Sequence, residues 1–472
     1  MDNLPEILNQ GNCQKYRIAP KFGNGRLESI LISNKTDLNF LSVLKYVLGN
    51  NIVFEVADDK IVKEEIDGLE DRDQDKAISI KNDTIHAATD NSVIELIDET
   101  ISEAIRLKAS DIHLEPFENE MSVRYRLDGV LQPKGLIKKE NVPAVISRVK
   151  IMSGLDIAEK RRPQDGRIRF GYENRTIDIR VSVLPTDFGE KIVMRLLDKA
   201  ALRLDLNELG FNNSDLELLK RKIKLPNGII LITGPTGSGK TTTLYAALNF
   251  IKSSEINITT IEDPIEYNLE GINQTQIKPA INLTFASSLR AILRQDPNII
   301  MVGEIRDKDT LENALRASLT GHLVFSTVHT NDAVSTITRL IDLGAEKFLL
   351  GNALKLIVAQ RLVRKICPHC RTDDIDSNEQ AAALALNISP DIKIYHGRGC
   401  DRCMSIGYWG RTAIYEMLPI DESIEKMISE GADRQTVLQY AKNQKINTLK
   451  DNGIDLIKEG ITTTSEVLRE TC

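Results

Sequence analysis

At 472 residues, with 41% hydrophobic and 27% charged side chains, the chain is too long for a single core and too apolar to be disordered, so several globular domains are expected. A net charge of −7 without a long basic run argues against nucleic acid as the main partner. No apolar stretch reaches transmembrane length, Met1 to Cys13 lacks the basic start and apolar centre of a signal peptide, and six cysteines do not make a disulfide framework, which together point to the cytosol.

In chain order, Met1 to Asp58 carries short mixed segments such as Ser29 to Ile32 and Phe40 to Leu48, compatible with a small α/β or helical module. Lys60 to Asp90 is dominated by charged and polar residues and reads as a mobile linker acting as a hinge. Ser92 and Glu95 form a capping box ahead of apolar positions Val93, Ile94, Ile97, Ile101, Ala104 and Ile105 at helical spacing, and a second domain opens there. Alternation at Ile112 and Leu114, and again at Val123, Tyr125 and Leu127, predicts strands, with Asp128-Gly129 as a hairpin turn. A helix over Pro143 to Met152 and strands near Arg167 to Tyr172 and Thr176 to Val183 follow. In the last strand Ile177, Ile179, Val181 and Val183 share one face; Asp178, Arg180 and Ser182 share the other, where Arg180 by itself reads as a solvated residue.

From Leu206 to Arg364 strand-like runs at Ile229 to Thr233, Ile256 to Ile261, Asn298 to Val302 and Leu323 to Val328 alternate with helical segments, the pattern of an α/β fold with a parallel sheet covered on both faces. After the first run stands Gly234-Pro235-Thr236-Gly237-Ser238-Gly239-Lys240-Thr241-Thr242, which fits the G-x-x-x-x-G-K-[ST] phosphate loop. Glycines let backbone N–H groups turn toward phosphates, Lys240 brings a cation to the β- and γ-phosphates, and the Thr241 hydroxyl can ligate Mg²⁺. A nucleotide is the expected ligand. Ligands of such sheets sit at the carboxyl ends of the strands, where three polar clusters follow: Glu262-Asp263-Pro264-Ile265-Glu266, Gly303 to Asp307, and His329 to Asp332, with His322 at the opposite end of the last strand. Glu304 occupies the place of a carboxylate that orients or deprotonates water. Gly303 stands where many phosphate-loop proteins have an Mg²⁺-linked aspartate, so metal contact passes through water or falls to Glu262 and Asp263. For His322 and His329 a structural hydrogen bond and a catalytic role are both open.

Cys367, Cys370, Cys400 and Cys403 form two C-x-x-C pairs able to offer four thiolates to one tetrahedral Zn²⁺. The 29 residues between the pairs accommodate a short inserted helix over Asn378 to Leu386, and the absence of an open ligand position makes the site structural. Cys13 and Cys472 have no partner pattern.

Taken in order, Ala109 to Glu115, Arg124 to Gly129, Leu184-Pro185-Thr186, the phosphate loop, Glu262 to Tyr267, Leu293 to Pro297, Gly303 to Asp307 and Ser318 to His322 resemble the secretion ATPase superfamily, and most closely the type II secretion ATPases of the general secretion pathway protein E family. The resemblance covers Glu95 to Leu468. It implies a RecA-like phosphate-loop core preceded by an α+β, PAS-like domain, a C-terminal zinc-binding subdomain and helices, and a homo-hexamer that hydrolyses ATP with Mg²⁺. The implied layout is a docking domain at 1–65, a linker at 66–91, the second domain at 92–205, the core at 206–365, the zinc subdomain at 366–415 and helices at 416–472. Arg180 and Arg195 match arginines that reach the γ-phosphate across a domain or subunit boundary, Glu262 to Glu266 an aspartate box that includes Glu262 and Glu266 as catalytic residues, and His322 to His329 a histidine box with His329 as the catalytic candidate. The implied partners are the cytoplasmic domain of a membrane-anchored secretion-platform subunit and the polytopic platform protein, which place the chain at the cytoplasmic face of the bacterial inner membrane. The N-terminal region is short for this family, which leaves the extent of its docking module open. The function so implied is powering pseudopilus assembly and protein export; the alternatives are a type IV pilus assembly ATPase, a RecA-like nucleic-acid translocase, and a scaffold that binds ATP without turning it over.

Overall fold

The structure, a computed structural model, describes residues 13, 17–23, 26–33, 36, 53–63, 65–66, 90–197, 205–373 and 376–471. The chain divides into two compact units, Met1–Thr84 and Ile85–Cys472.

In the first unit β1 (Ile18–Gly23) pairs antiparallel with β2 (Arg26–Ile32), which pairs parallel with β3 (Val53–Val56). Ile18, Ile30, Val62 and Ile66 are buried together with Cys13. Residues 59–63 and 65–66 are helical, and Val62 and Ile66 are 0% and 1% exposed. The polar segment expected to be a linker from Lys60 onward therefore begins as part of a folded core, because two apolar side chains four residues apart share one helical face. Phe40 to Leu48 and the remainder of the expected linker as far as residue 89 lie outside the described residues.

The second unit opens with helix α1 (Asp90–Arg106), which starts two residues before Ser92; the side chain of Ser92 lies outside the description. Val93, Leu96, Ile97, Ile101, Ala104 and Ile105 are buried, whereas Ile94 is exposed. The helix packs on a six-stranded antiparallel sheet in the order β6-β5-β4-β9-β8-β7, formed by β4 (Asp111–Pro116), β5 (Glu120–Leu127), β6 (Val130–Lys138), β7 (Gln164–Tyr172), β8 (Arg175–Thr186) and β9 (Gly189–Leu197). Helix α2 (Val142–Ser153) adds Val145, Ile146 and Val149 to the same core. Period-2 alternation is strict: Met121, Val123, Tyr125 and Leu127 on β5 and Ile177, Ile179, Val181 and Val183 on β8 are buried, leaving a polar opposite face. Between β5 and β6, Asp128 and Gly129 take φ of 48° and 89°, the left-handed pair of a tight hairpin turn.

The stretch expected to bind a nucleotide is built on a seven-stranded sheet in the order β12-β11-β13-β14-β10-β15-β18. Its strands are β10 (Gly228–Thr233), β11 (Ile258–Glu262), β12 (Asn273–Gln276), β13 (Ile299–Val302), β14 (Leu323–Val328), β15 (Leu354–Ile366) and β18 (Tyr408–Pro419). All neighbours are parallel except β15 and β18. On β10, Ile229 and Leu231 enter one hydrophobic layer and Ile230 and Ile232 the other, so both faces are covered and the strand reads as an unbroken apolar run. Each such side chain contributes about 1.5–3 kcal/mol by leaving water. The boundary expected at residue 415 falls inside β18, which is a full member of the core sheet: residues 367–407 form an excursion between two paired strands. In that excursion β16 (Arg371–Thr372) pairs with β17 (His396–Gly397), and helix α3 (Ser377–Ala385) occupies the span where an inserted helix was expected. At its return, Gly410 N–H donates to Asp128 Oδ2 at 2.7 Å and Arg411 Nε lies 3.6 Å from Asp128 Oδ1, so the start of β18 grips the β5–β6 turn.

Candidate nucleotide site and cysteine cluster

The phosphate loop leaves the carboxyl end of β10 and enters helix α4 (Lys240–Ile251). Gly239 caps this helix at φ 87° with no side-chain bond, so the first-turn N–H groups remain available to an anion. A Cβ at Gly234 would stand 2.5 Å from the Gln360 carbonyl oxygen, and one at Gly239 2.8 Å from Gln360 Nε2. Backbone packing therefore excludes a larger residue at Gly234, while at Gly239 the positive φ and the Gln360 side chain disfavour one. The Ser238 hydroxyl, at 3% exposure, has no hydrogen-bond partner among the described residues, and Thr241 is exposed. Orphan N–H groups, a buried unsatisfied hydroxyl and an exposed threonine suit a phosphate chain with its metal. Pro235, Thr236 and Gly237 are exposed beside them, and Thr242 is half-buried.

Lys240 Nζ donates to the carbonyls of Gly234 at 2.8 Å and Pro235 at 3.0 Å. Burial pushes its pKa down to about 8, with Glu304 opposing the shift and Arg361 adding to it. Glu304, 12% exposed at its side chain, follows β13, meets Arg306 Nε at 2.5 Å and lies 3.6 Å from His329 Nε2. His329, at the end of β14, is held below the usual histidine range, first by burial and then by Lys240. The fold thus gathers Lys240, Glu304 and His329 at the carboxyl ends of β10, β13 and β14. His322, at the other end of β14, bonds through Nδ1 to the Ala317 carbonyl at 2.9 Å and turns away from that end.

The aspartate box is divided. Glu262 is 4% exposed and its carboxylate accepts from the Tyr245 hydroxyl, from Thr260 Oγ1 at 2.5 Å and from Gln274 Nε2 at 3.0 Å, so its oxygens are committed inside the sheet. Asp263 is exposed with no partner among the described residues. Glu266 pairs with Arg180 Nη1 at 3.1 Å, and Arg180 Nη2 donates to the Ile265 carbonyl at 3.0 Å. Arg195 is not drawn into this group: its Nε donates to Asp111 Oδ1 at 3.0 Å.

Gln360 and Arg361 on β15 escaped the sequence reading. Gln360, 2% exposed, donates through Nε2 to the Ser238 carbonyl at 2.7 Å and accepts from Thr243 Oγ1 at 2.9 Å. Arg361 donates to the Gln360 and Asn331 carbonyls at 3.0 and 2.8 Å. Gln360 thus braces the phosphate loop from the neighbouring strand, and Arg361 ties that strand to the segment after β14. Two polar residues breaking an apolar run after Leu356-Ile357-Val358-Ala359 were the available signal.

The β16–β17 ribbon brings the two C-x-x-C turns together. Sulfur separations are 3.9 Å for Cys367–Cys400, 3.8 Å for Cys370–Cys403 and 3.6 Å for Cys400–Cys403, and all four ligand atoms lie within 4.8 Å of one another. A tetrahedron with Zn–S bonds of about 2.3 Å has S···S edges of about 3.8 Å. The cluster therefore fits one zinc-sized ion. The backbone N–H groups of Cys400 and Gly407 point at Cys403 Sγ at 3.2 and 3.3 Å, supporting a thiolate.

Residues 86–469 match the family of type II/IV secretion system proteins. The chain is 47% identical over 389 residues to the type II secretion system ATPase E of Vibrio cholerae, covering 82% of this chain and 77% of that one. It is 41% identical over 483 residues to the type IV pilus assembly ATPase PilB of Myxococcus xanthus, covering 97% and 85%. Its fold is similar to the crystal structure of the pilus retraction motor PilT with bound ADP, with a TM-score of 0.53 and 28% identity over 79% of this chain and 96% of that chain. Among the described residues no helix is long and apolar enough to cross a membrane. A phosphate loop set in a covered parallel sheet, with relatives of this identity over four-fifths of its length, means that the chain belongs to the type II/IV secretion system protein family, the secretion ATPases.

Proposed function

We propose that this chain works as a hexameric ATPase at the cytoplasmic face of a bacterial inner membrane, turning ATP hydrolysis into the domain movements that assemble a pseudopilus for type II secretion. The carrying observation is the convergence of Lys240, Glu304 and His329 on the carboxyl side of the sheet, beside a helix whose first turn has no side-chain cap. Lys240 and the first turn of α4 hold the β- and γ-phosphates; Thr241 and Asp263 would hold Mg²⁺, which would neutralise charge on the phosphate oxygens. Glu304 orients a water against the γ-phosphorus and takes its proton as the bond to the bridging oxygen of ADP breaks. Neutral His329 holds the Glu304 carboxylate in place. Arg195 is the positive group that completes the site across a boundary between domains or subunits, and Arg180, with Glu266, secures the adjoining loop. The four cysteines would hold one structural Zn²⁺, and the N-terminal unit docks on a membrane-anchored platform subunit.

The test is steady-state hydrolysis by purified hexamer. Lys240→Ala is expected to lose ATP binding and Glu304→Gln to bind ATP while hydrolysing at least about 10²-fold more slowly. Folded, assembled variants with the wild-type rate would refute the mechanism. A second reading, type IV pilus assembly, is favoured by one observation: the match to PilB reaches 97% of the chain and so takes in most of Met1–Thr84, whereas the match to the type II ATPase stops at 82%. Deleting the gene and scoring secreted enzymes against surface pili separates the two.

A further inference from the structure

The polar face of the six-stranded sheet carries a register row running from β5 to β7. Directly paired residues along it are Arg126, Asp111, Arg195, Arg180 and Arg167. Like charges placed opposite one another destabilise a sheet, so the single carboxylate in the row has work to do. Asp111, 6% exposed, accepts from Arg195 Nε at 3.0 Å through Oδ1, while Oδ2 lies 3.3 Å from Arg126 Nε and accepts from the Ser110 hydroxyl at 2.8 Å.

The two central arginines are spent differently. Arg180 commits both terminal amino groups to Ile265 and Glu266. Arg195 is gripped by its Nε alone and its side chain is 60% exposed, with Asp111 its only ion partner among the described residues. A guanidinium bonded through Nε keeps both Nη groups in a fixed outward fork, the geometry suited to a phosphate. A tether this short also restricts rotation of a long side chain, which lowers the entropy lost when the fork meets its ligand.

We infer that Asp111 is a positioning residue for hydrolysis: it aims the free fork of Arg195 at the γ-phosphate, while Arg180 serves the loop after β11. This rests on the reading of Arg195 given under Proposed function. A merely structural Asp111 would neutralise the row without caring which arginine acts.

A kinetic double-mutant cycle separates these. With the full chain assembled, kcat, KM for ATP and thermal melting are measured for Asp111→Ala, Arg195→Ala and the double variant. Asp111→Ala is expected to lower kcat by roughly 10²-fold with KM little changed, and the double variant to be no slower than Arg195→Ala. A wild-type kcat in Asp111→Ala, or a double variant showing the product of both losses, overturns the inference. If Asp111→Ala does not assemble, Asp111→Leu, which keeps the branched side-chain shape and removes both acceptor oxygens, is run through the same cycle and judged by the same criterion. Arg195→Ala hydrolysing at the wild-type rate instead overturns the underlying reading of Arg195, whatever Asp111 does.

Discussion

Lys240 has its pKa pushed down to about 8 mainly by burial. A bound triphosphate supplies the negative charge that restores the ordinary value, so above pH 8 nucleotide binding must take up a proton. The sign follows: affinity is flat below about pH 8 and falls as pH rises beyond it, by at most about tenfold per pH unit. Kd for a non-hydrolysable ATP analogue measured between pH 7 and 9.5 checks this, and a flat profile contradicts it. Residues with this chemistry were legible because the phosphate loop is contiguous in sequence. Glu262 was not, since nothing local to Glu262-Asp263 says that Tyr245, Thr260 and Gln274 will surround the first carboxylate and leave the second exposed. That surround makes Glu262 a support of the sheet end. Glu262→Leu is expected to strand three donors and lower stability by about 3 kcal/mol, read as a lower denaturation midpoint.

At the scale of the element, β10, β11, β13 and β14 were readable as short strand-like runs rich in β-branched residues, and each is buried along its length. The place of β18 was hidden, because its pairing with β15 spans the whole cysteine-bearing excursion, and pairing across so long a gap leaves no local mark. The consequence lies in β15, whose Gln360 braces the phosphate loop. Gln360→Leu removes a donor to the Ser238 carbonyl and an acceptor for Thr243, so a loss of about 2–4 kcal/mol is expected, with weaker ATP binding. Thermal melting with and without nucleotide tests it: the stabilisation by ATP should shrink along with the melting temperature. The excursion itself is tied by its cysteines. Chelation, or Cys367→Ser, is expected to remove about one equivalent of zinc and loosen residues 367–407, detected by metal analysis together with proteolysis confined to that stretch.

On the scale of the whole molecule, the two units have separate hydrophobic cores. A fragment spanning 85–472 is therefore expected to melt cooperatively and bind ATP as the full chain does, while failing to bind membrane extracts that capture residues 1–84. Loss of nucleotide binding in the fragment would show that the N-terminal unit contributes to the core. The motif series conveyed the core and the cysteine site, each written in short contiguous stretches. It conveyed little of the first unit, where, among the described residues, the paired strands and buried Val62 and Ile66 carry packing information.

The grip of Gly410 and Arg411 on Asp128 gains meaning at this scale. It joins the tip of the β5–β6 hairpin to β18, β18 is laddered to β15, and Gln360 of β15 holds Ser238. Two paired strands and the hydrogen bonds at their ends thus link a hairpin tip of the six-stranded sheet to the phosphate loop. In mechanical terms this is the layout of a tie rod, anchored at the hairpin tip at one end and at the phosphate loop at the other.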